Sequence, residues 1–88
     1  MASEEGKRIL SDIRQFAESE NEVLGKKKKM SPEMLDNLQR ARNYSKDAEY
    51  FMKKGDLFTA WGCANYAHGI LDAIRKELGL ECYGAIKD

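Results

Sequence analysis

Hydrophobic side chains recur at steps of three and four residues along three segments of the chain, a spacing that places them on one face of an α-helix. The predicted helices span about residues 4–24, 32–54 and 57–78. No segment shows the strict alternation of apolar and polar residues that is typical of a half-buried β-strand. The pattern predicts an all-α fold, a three-helix up-and-down bundle, as a single domain over residues 1–88 with a tail at 79–88.

Two joints separate these helices, and each contains residues that are typical of helix ends. In the first joint, Gly25 and the lysine run Lys26–Lys29 are followed by Ser31, which can cap the second helix. In the second joint, Gly55 suits the left-handed residue beyond a helix and Asp56 can cap the third helix. The joints therefore predict short connections between helices that pack antiparallel to each other.

The third predicted helix has more small and apolar residues than one core face requires. Its main stripe, the predicted core, consists of Leu57, Ala60, Ala64, Ala67, Leu71, Ile74 and Leu78. A second stripe lies beside the first at helical spacing and consists of Phe58, Trp61, Gly62, Asn65, His68, Gly69 and Asp72. The glycines need an explanation, because each costs about 1 kcal/mol relative to alanine inside a helix.

Two interpretations of this second stripe are open. In the first, Gly62 and Gly69 allow close packing within the bundle, Trp61 closes one end of the core, and His68 and Asp72 form an ordinary helical pair. In the second, the stripe is a contact surface with aromatic anchors beside a glycine-lined groove. Such a groove takes another helix, a second copy of the chain or a flat ligand.

Charge and composition narrow the classes of partner. Fifteen basic residues balance fifteen acidic ones, so the formal net charge is zero and exerts no overall pull toward nucleic acid or anionic membrane. Lys26–Lys29 is the basic cluster that could bind phosphates. A solvated joint whose charges suit the negative end of the first helix is the simpler explanation, and no aromatic residues for base stacking lie nearby. Nucleic-acid binding is therefore the alternative to protein interaction.

The chain shows neither the apolar core of a signal peptide nor a run long enough to span a bilayer. We therefore expect a soluble, cytoplasmic protein without membrane contact. Cys63 and Cys82 do not form a paired-cysteine motif, and in a reducing compartment we expect two free thiols.

Catalysis would require convergent polar groups, and a pocket between the second and third helices is conceivable. Tyr44 and Asp47 share a side of the second helix, as His68 and Asp72 do of the third. The sequence has no nucleophile motif and no phosphate loop, and it contains one histidine. A structural zinc site needs four ligands. We expect no catalytic residues, metal or cofactor, and keep a small-ligand pocket as a further alternative.

Residues 41–80 resemble the archaeal family known as domain of unknown function 357. The shared pattern is Tyr-x-x-Asp-Ala-x-x-Phe, a Gly-Asp joint, and Tyr-Ala-x-Gly-x-Leu-Asp-Ala before Leu-Gly-Leu. The positions that carry the pattern are Tyr44, Asp47, Ala48, Phe51, Gly55, Asp56, Ala60, Tyr66, Ala67, Gly69, Leu71, Asp72, Ala73, Leu78, Gly79 and Leu80. The resemblance implies an archaeal source and a small three-helix bundle, and it implies no activity.

Taken together, the residues predict a non-enzymatic helical interaction module that binds a protein partner or self-associates through the third helix. The predicted contact residues are those of the second stripe on that helix.

Overall fold

A computed structural model describes residues 3–81 of the chain, which form helices without any strand. The elements are α1 (Glu4–Leu24), a short 3-10 turn (Lys27–Lys29), α2 (Pro32–Lys53) and α3 (Leu57–Glu77). The predicted all-α three-helix bundle is confirmed, and the predicted ends at residues 54 and 78 each lie one residue beyond the observed ones. None of the described helices is long and apolar enough to cross a lipid bilayer.

Each helix begins at a side-chain cap that satisfies one of its free backbone N–H groups. The caps are Ser3, Ser31 and Asp56, which accept hydrogen bonds from the N–H groups of Gly6, Met34 and Thr59 at 3.0, 3.1 and 3.2 Å. Hydrogen bonds from the side chain and backbone of Thr59 lower the pKa of Asp56, so the cap is charged at neutral pH. The charge suits the positive end of α3.

Two glycines in the left-handed region end α2 and α3. Gly55 has φ 85° and Gly79 has φ 79°, a conformation that glycine adopts without strain. After Gly79 the N–H of Leu80 bonds to the carbonyl of Arg75 at 2.8 Å, which turns Leu80 back against the core. Gly25 differs, because its φ of −64° is right-handed and α1 runs directly into the 3-10 turn.

The buried side chains differ in size between the two ends of the bundle. Alanines line the seam between α2 and α3, and all are at most 2% exposed: Ala41, Ala48, Ala60, Ala64 and Ala67. Larger side chains gather where α1 ends and α2 begins. These include Phe16, Val23, Met30, Met34, Leu38, Leu71 and Ile74. The helices therefore approach closely along the seam, while bulk accumulates at the far end.

α1 packs one face against the core, and that face includes a polar residue as well as apolar ones. Ile9, Phe16, Ser19 and Val23 are buried, whereas Ile13 is only half-buried. Glu20, which stands among apolar residues in the sequence of α1, is largely covered and pairs with Arg42 of α2.

A buried arginine explains why the polar residue Ser19 of α1 is buried. Arg75 of α3 is 3% exposed, and its Nη1 lies 3.2 Å from Ser19 Oγ and 2.9 Å from Glu22 Oε1. Its Nε donates to the backbone carbonyl of Glu81. Because a buried charge requires such partners, Arg75 draws the polar positions of α1 toward α3. Cys82, for which a free thiol is expected, lies outside the described residues.

Candidate functional site

One side of α3 is left uncovered by the other two helices, and it carries large aromatic side chains beside glycines. Phe58 is 87% exposed and Trp61 is 42% exposed. Gly62 and Gly69 are exposed as well, and a Cβ atom added at either position would meet nothing within 4 Å. The interpretation that these glycines allow close packing within the bundle is therefore wrong. We call Phe58, Trp61, Gly62 and Gly69 the α3 outer face.

His68 does not belong to this face, contrary to the sequence prediction. It is 1% exposed, its Nε2–H donates to the backbone carbonyl of Asp12 at 2.7 Å, and its ring meets Phe16 edge-on at 6.0 Å. α1 covers this flank of α3, so the buried surface of α3 extends beyond its main stripe. Burial raises the pKa of the Asp12 carboxyl, while the nearby charges of His68 and Arg8 lower it.

Asn65 and Asp72, the other predicted members, lie half-buried beside the α3 outer face. The Oδ1 atom of Asn65 is buried and has no hydrogen-bond partner within residues 3–81. Because this atom is turned inward, Asn65 offers less of its polar surface to a partner than its position on the helix indicates.

The α3 outer face continues into a cavity at the end of the bundle where α1 and α3 begin. The cavity measures about 260 Å³. Its lining residues are Glu5, Arg8, Ile9, Leu57, Phe58 and Trp61. The sequence did not predict that the three α1 residues of this group, Glu5, Arg8 and Ile9, belong to the site. Helical spacing shows which residues share a face of one helix, but it does not show which turns of α1 lie next to Trp61.

The polar pocket considered for α2 and α3 does not form from the predicted residues. Tyr44 stacks on Tyr66, with ring centroids 4.8 Å apart and planes 9° from parallel. Asp47 is exposed, and His68 faces α1. The tyrosine stack thus joins α2 to α3 at the surface, and Tyr44 and His68 turn to different neighbours.

Cys63 lies half-buried on α3. Burial raises the pKa of its thiol, and the negative charges of Asp47 and Asp56 raise it further. The protonated thiol therefore dominates at neutral pH and is a poor nucleophile. Within the described part of the chain, no three His, Cys, Asp or Glu side chains form a group that could hold a metal ion.

The four lysines of the first joint are exposed around a surface concavity that they share with Leu24 and Gly25. Within residues 3–81, Arg42 pairs with Glu20 and Arg75 pairs with Glu22, whereas these four lysines lie exposed to solvent. Their positive charges are therefore concentrated at one end of a neutral chain.

Comparison with known families agrees with this architecture. The sequence profile of the family described as protein of unknown function DUF357 matches residues 7–80. The chain belongs to this family. The DUF357 match includes all of α2 and α3 and all but the first residues of α1, so it extends well beyond the C-terminal half that carries the recognisable motif. No curated protein and no solved structure matched the chain.

The open space at Gly62 and Gly69 generates a stability prediction. We expect Gly62→Ala and Gly69→Ala each to raise the free energy of unfolding by about 0.5–1 kcal/mol, because alanine has the higher helix propensity and meets no obstacle. Urea denaturation followed by circular dichroism, at a concentration low enough to exclude association, measures the change. Gly55→Ala is the matched control and should be destabilising, because Gly55 has a positive φ. Loss of stability at Gly62 or Gly69 would contradict the open geometry.

Proposed function

We propose that the chain is a non-enzymatic helical interaction module that self-associates through the α3 outer face. The observation that carries this proposal is the exposure of Phe58, at 87%, beside Trp61 and two open glycines. Large aromatic side chains are the usual anchors of protein interfaces, because each covers a large area at a small entropic cost.

The energetics favour burial of this face against protein. Fully burying a phenylalanine-sized side chain contributes about 1.5–3 kcal/mol. Glycines at exposed helical positions let a partner's backbone or side chains approach closely, as alanine or larger residues would not. Their intrinsic cost to the helix has no compensating contact inside the described bundle, which supports a role outside it.

A second copy of the chain is a favourable partner on electrostatic grounds. The formal net charge is zero, so two copies experience no overall repulsion. The four residues of the α3 outer face are uncharged, so burying their side chains does not itself desolvate an ion.

Bulk placed at Gly69 tests the proposal. We expect sedimentation equilibrium to show a mean mass that rises with concentration for the unmodified chain. Gly69→Leu should weaken that association, because the leucine side chain prevents close approach to the face. Its melting temperature, measured where the protein is monomeric, should not fall, since nothing lies within 4 Å of the added Cβ.

Gly69→Ala is the matched control for helix propensity, because alanine and leucine are both strong helix formers and differ mainly in bulk. It should associate more strongly than Gly69→Leu while having a similar monomer stability. A monomeric mass at every concentration for the unmodified chain would contradict self-association.

A second candidate function rests on the lysine joint. Lys27–Lys29 form the 3-10 turn, Lys26 immediately precedes it, and all four side chains are exposed. This arrangement concentrates positive charge where a phosphate backbone could contact it. In that case the chain would associate with nucleic acid through the joint, independently of the α3 outer face.

Neutralising the joint separates this candidate from the first. Replacing Lys26–Lys29 with glutamines should abolish retention on immobilised RNA or DNA and flatten its dependence on salt. Because the side chains are exposed, the free energy of unfolding should change by less than about 0.5 kcal/mol. If the unmodified chain is not retained even at low salt, the candidate is wrong.

A further inference from the structure

The cavity between the first turns of α1 and α3 has the size of one aromatic side chain. It measures about 260 Å³, whereas pockets for drug-sized ligands measure about 300–1,000 Å³. An apolar cavity of about 150 Å³ suffices to hold benzene. The cavity therefore accommodates one phenyl ring, and it is small for a cofactor.

An unburied ring of this kind stands at the rim of the same cavity. Phe58 is 87% exposed, although it is one of the lining residues, so most of its ring points away from its own bundle. The remaining apolar lining comes from Ile9, Leu57 and Trp61. Pocket and projecting ring lie side by side on one surface, which is the arrangement that a two-fold axis can pair with itself.

The charges at the cavity are self-complementary in the same way. The lining has one acidic residue, Glu5, and one basic residue, Arg8, three positions apart on α1. Under a two-fold axis, Glu5 of each copy can face the partner's Arg8. A surface carrying charges of one sign would repel its own copy, whereas one charge of each sign can attract a second copy in the orientation that joins them.

We propose that two copies of the chain dimerise by reciprocal insertion of Phe58 into the partner's cavity, with Glu5 and Arg8 paired across the two-fold axis. This inference rests on the proposed self-association and names its anchor. It adds the beginning of α1 to an interface otherwise formed by α3.

Removing the ring tests the anchor. Phe58→Ser should raise the dimer dissociation constant by at least about tenfold, measured by sedimentation equilibrium, because it empties both cavities. Tyr50→Ser is the control, since Tyr50 is a 55% exposed aromatic residue on α2, and it should leave the constant unchanged. Equal effects of the two substitutions, or none at Phe58, would overturn the proposal.

Charge reversal tests the pairing without altering the cavity's apolar floor. Glu5→Arg and Arg8→Glu should each weaken self-association, because each places like charges opposite one another. An equimolar mixture of the two variants should form heterodimers, since every cross-pair then joins unlike charges. The double variant Glu5→Arg/Arg8→Glu should recover dimerisation on its own.

The results distinguish this inference from the function on which it rests. If Gly69→Leu weakens association while Phe58→Ser and the charge reversals do not, the chain self-associates but the reciprocal insertion is wrong. If the single reversals weaken association and neither the mixture nor the double variant restores it, the cross-pairing is wrong. A monomeric unmodified chain at all concentrations would refute both.

Discussion

Close contact between α2 and α3 along a seam of alanines is the constraint on which the rest of the structure depends. Ala41, Ala48, Ala60, Ala64 and Ala67 are each at most 2% exposed, and their single methyl groups set a short distance between the two helices. That contact fixes the rotation of α3 about its own axis. Once the alanine side faces α2, only one flank of α3 is available to α1, and the remaining side has no neighbour among the described helices.

The position of α1 then decides which of the unusual residues of α3 become buried. α1 covers the flank that contains His68 and Arg75, and both find hydrogen-bond partners there. Phe58, Gly62 and Gly69 lie beyond that flank and stay exposed. Exposed glycines inside a helix lower its stability and make no compensating contact within the described fold, and the proposed contact with a second copy would supply one.

The sequence predicts this fold well because its signals are local. Helical spacing and the caps at Ser31 and Asp56 mark the helices to within a residue of their observed ends, and five of the seven residues of the main α3 stripe are buried. The failures concern relations between helices. The burial of His68 depends on which flank α1 covers, and the inward turn of Ser19 depends on Arg75, which is 56 positions away. The cavity likewise joins turns from two helices, a juxtaposition that spacing along one helix does not reveal.

The single tryptophan of the chain allows the most direct test of the central claim, that the α3 outer face is buried when the chain self-associates. Trp61 is 42% exposed in the isolated bundle and belongs to that face. Acrylamide quenching of its fluorescence is measured across the concentration range in which the mean mass rises. The account predicts that quenching falls as the mass rises. Quenching that stays constant while the mass rises would show that the copies meet elsewhere, and would contradict it.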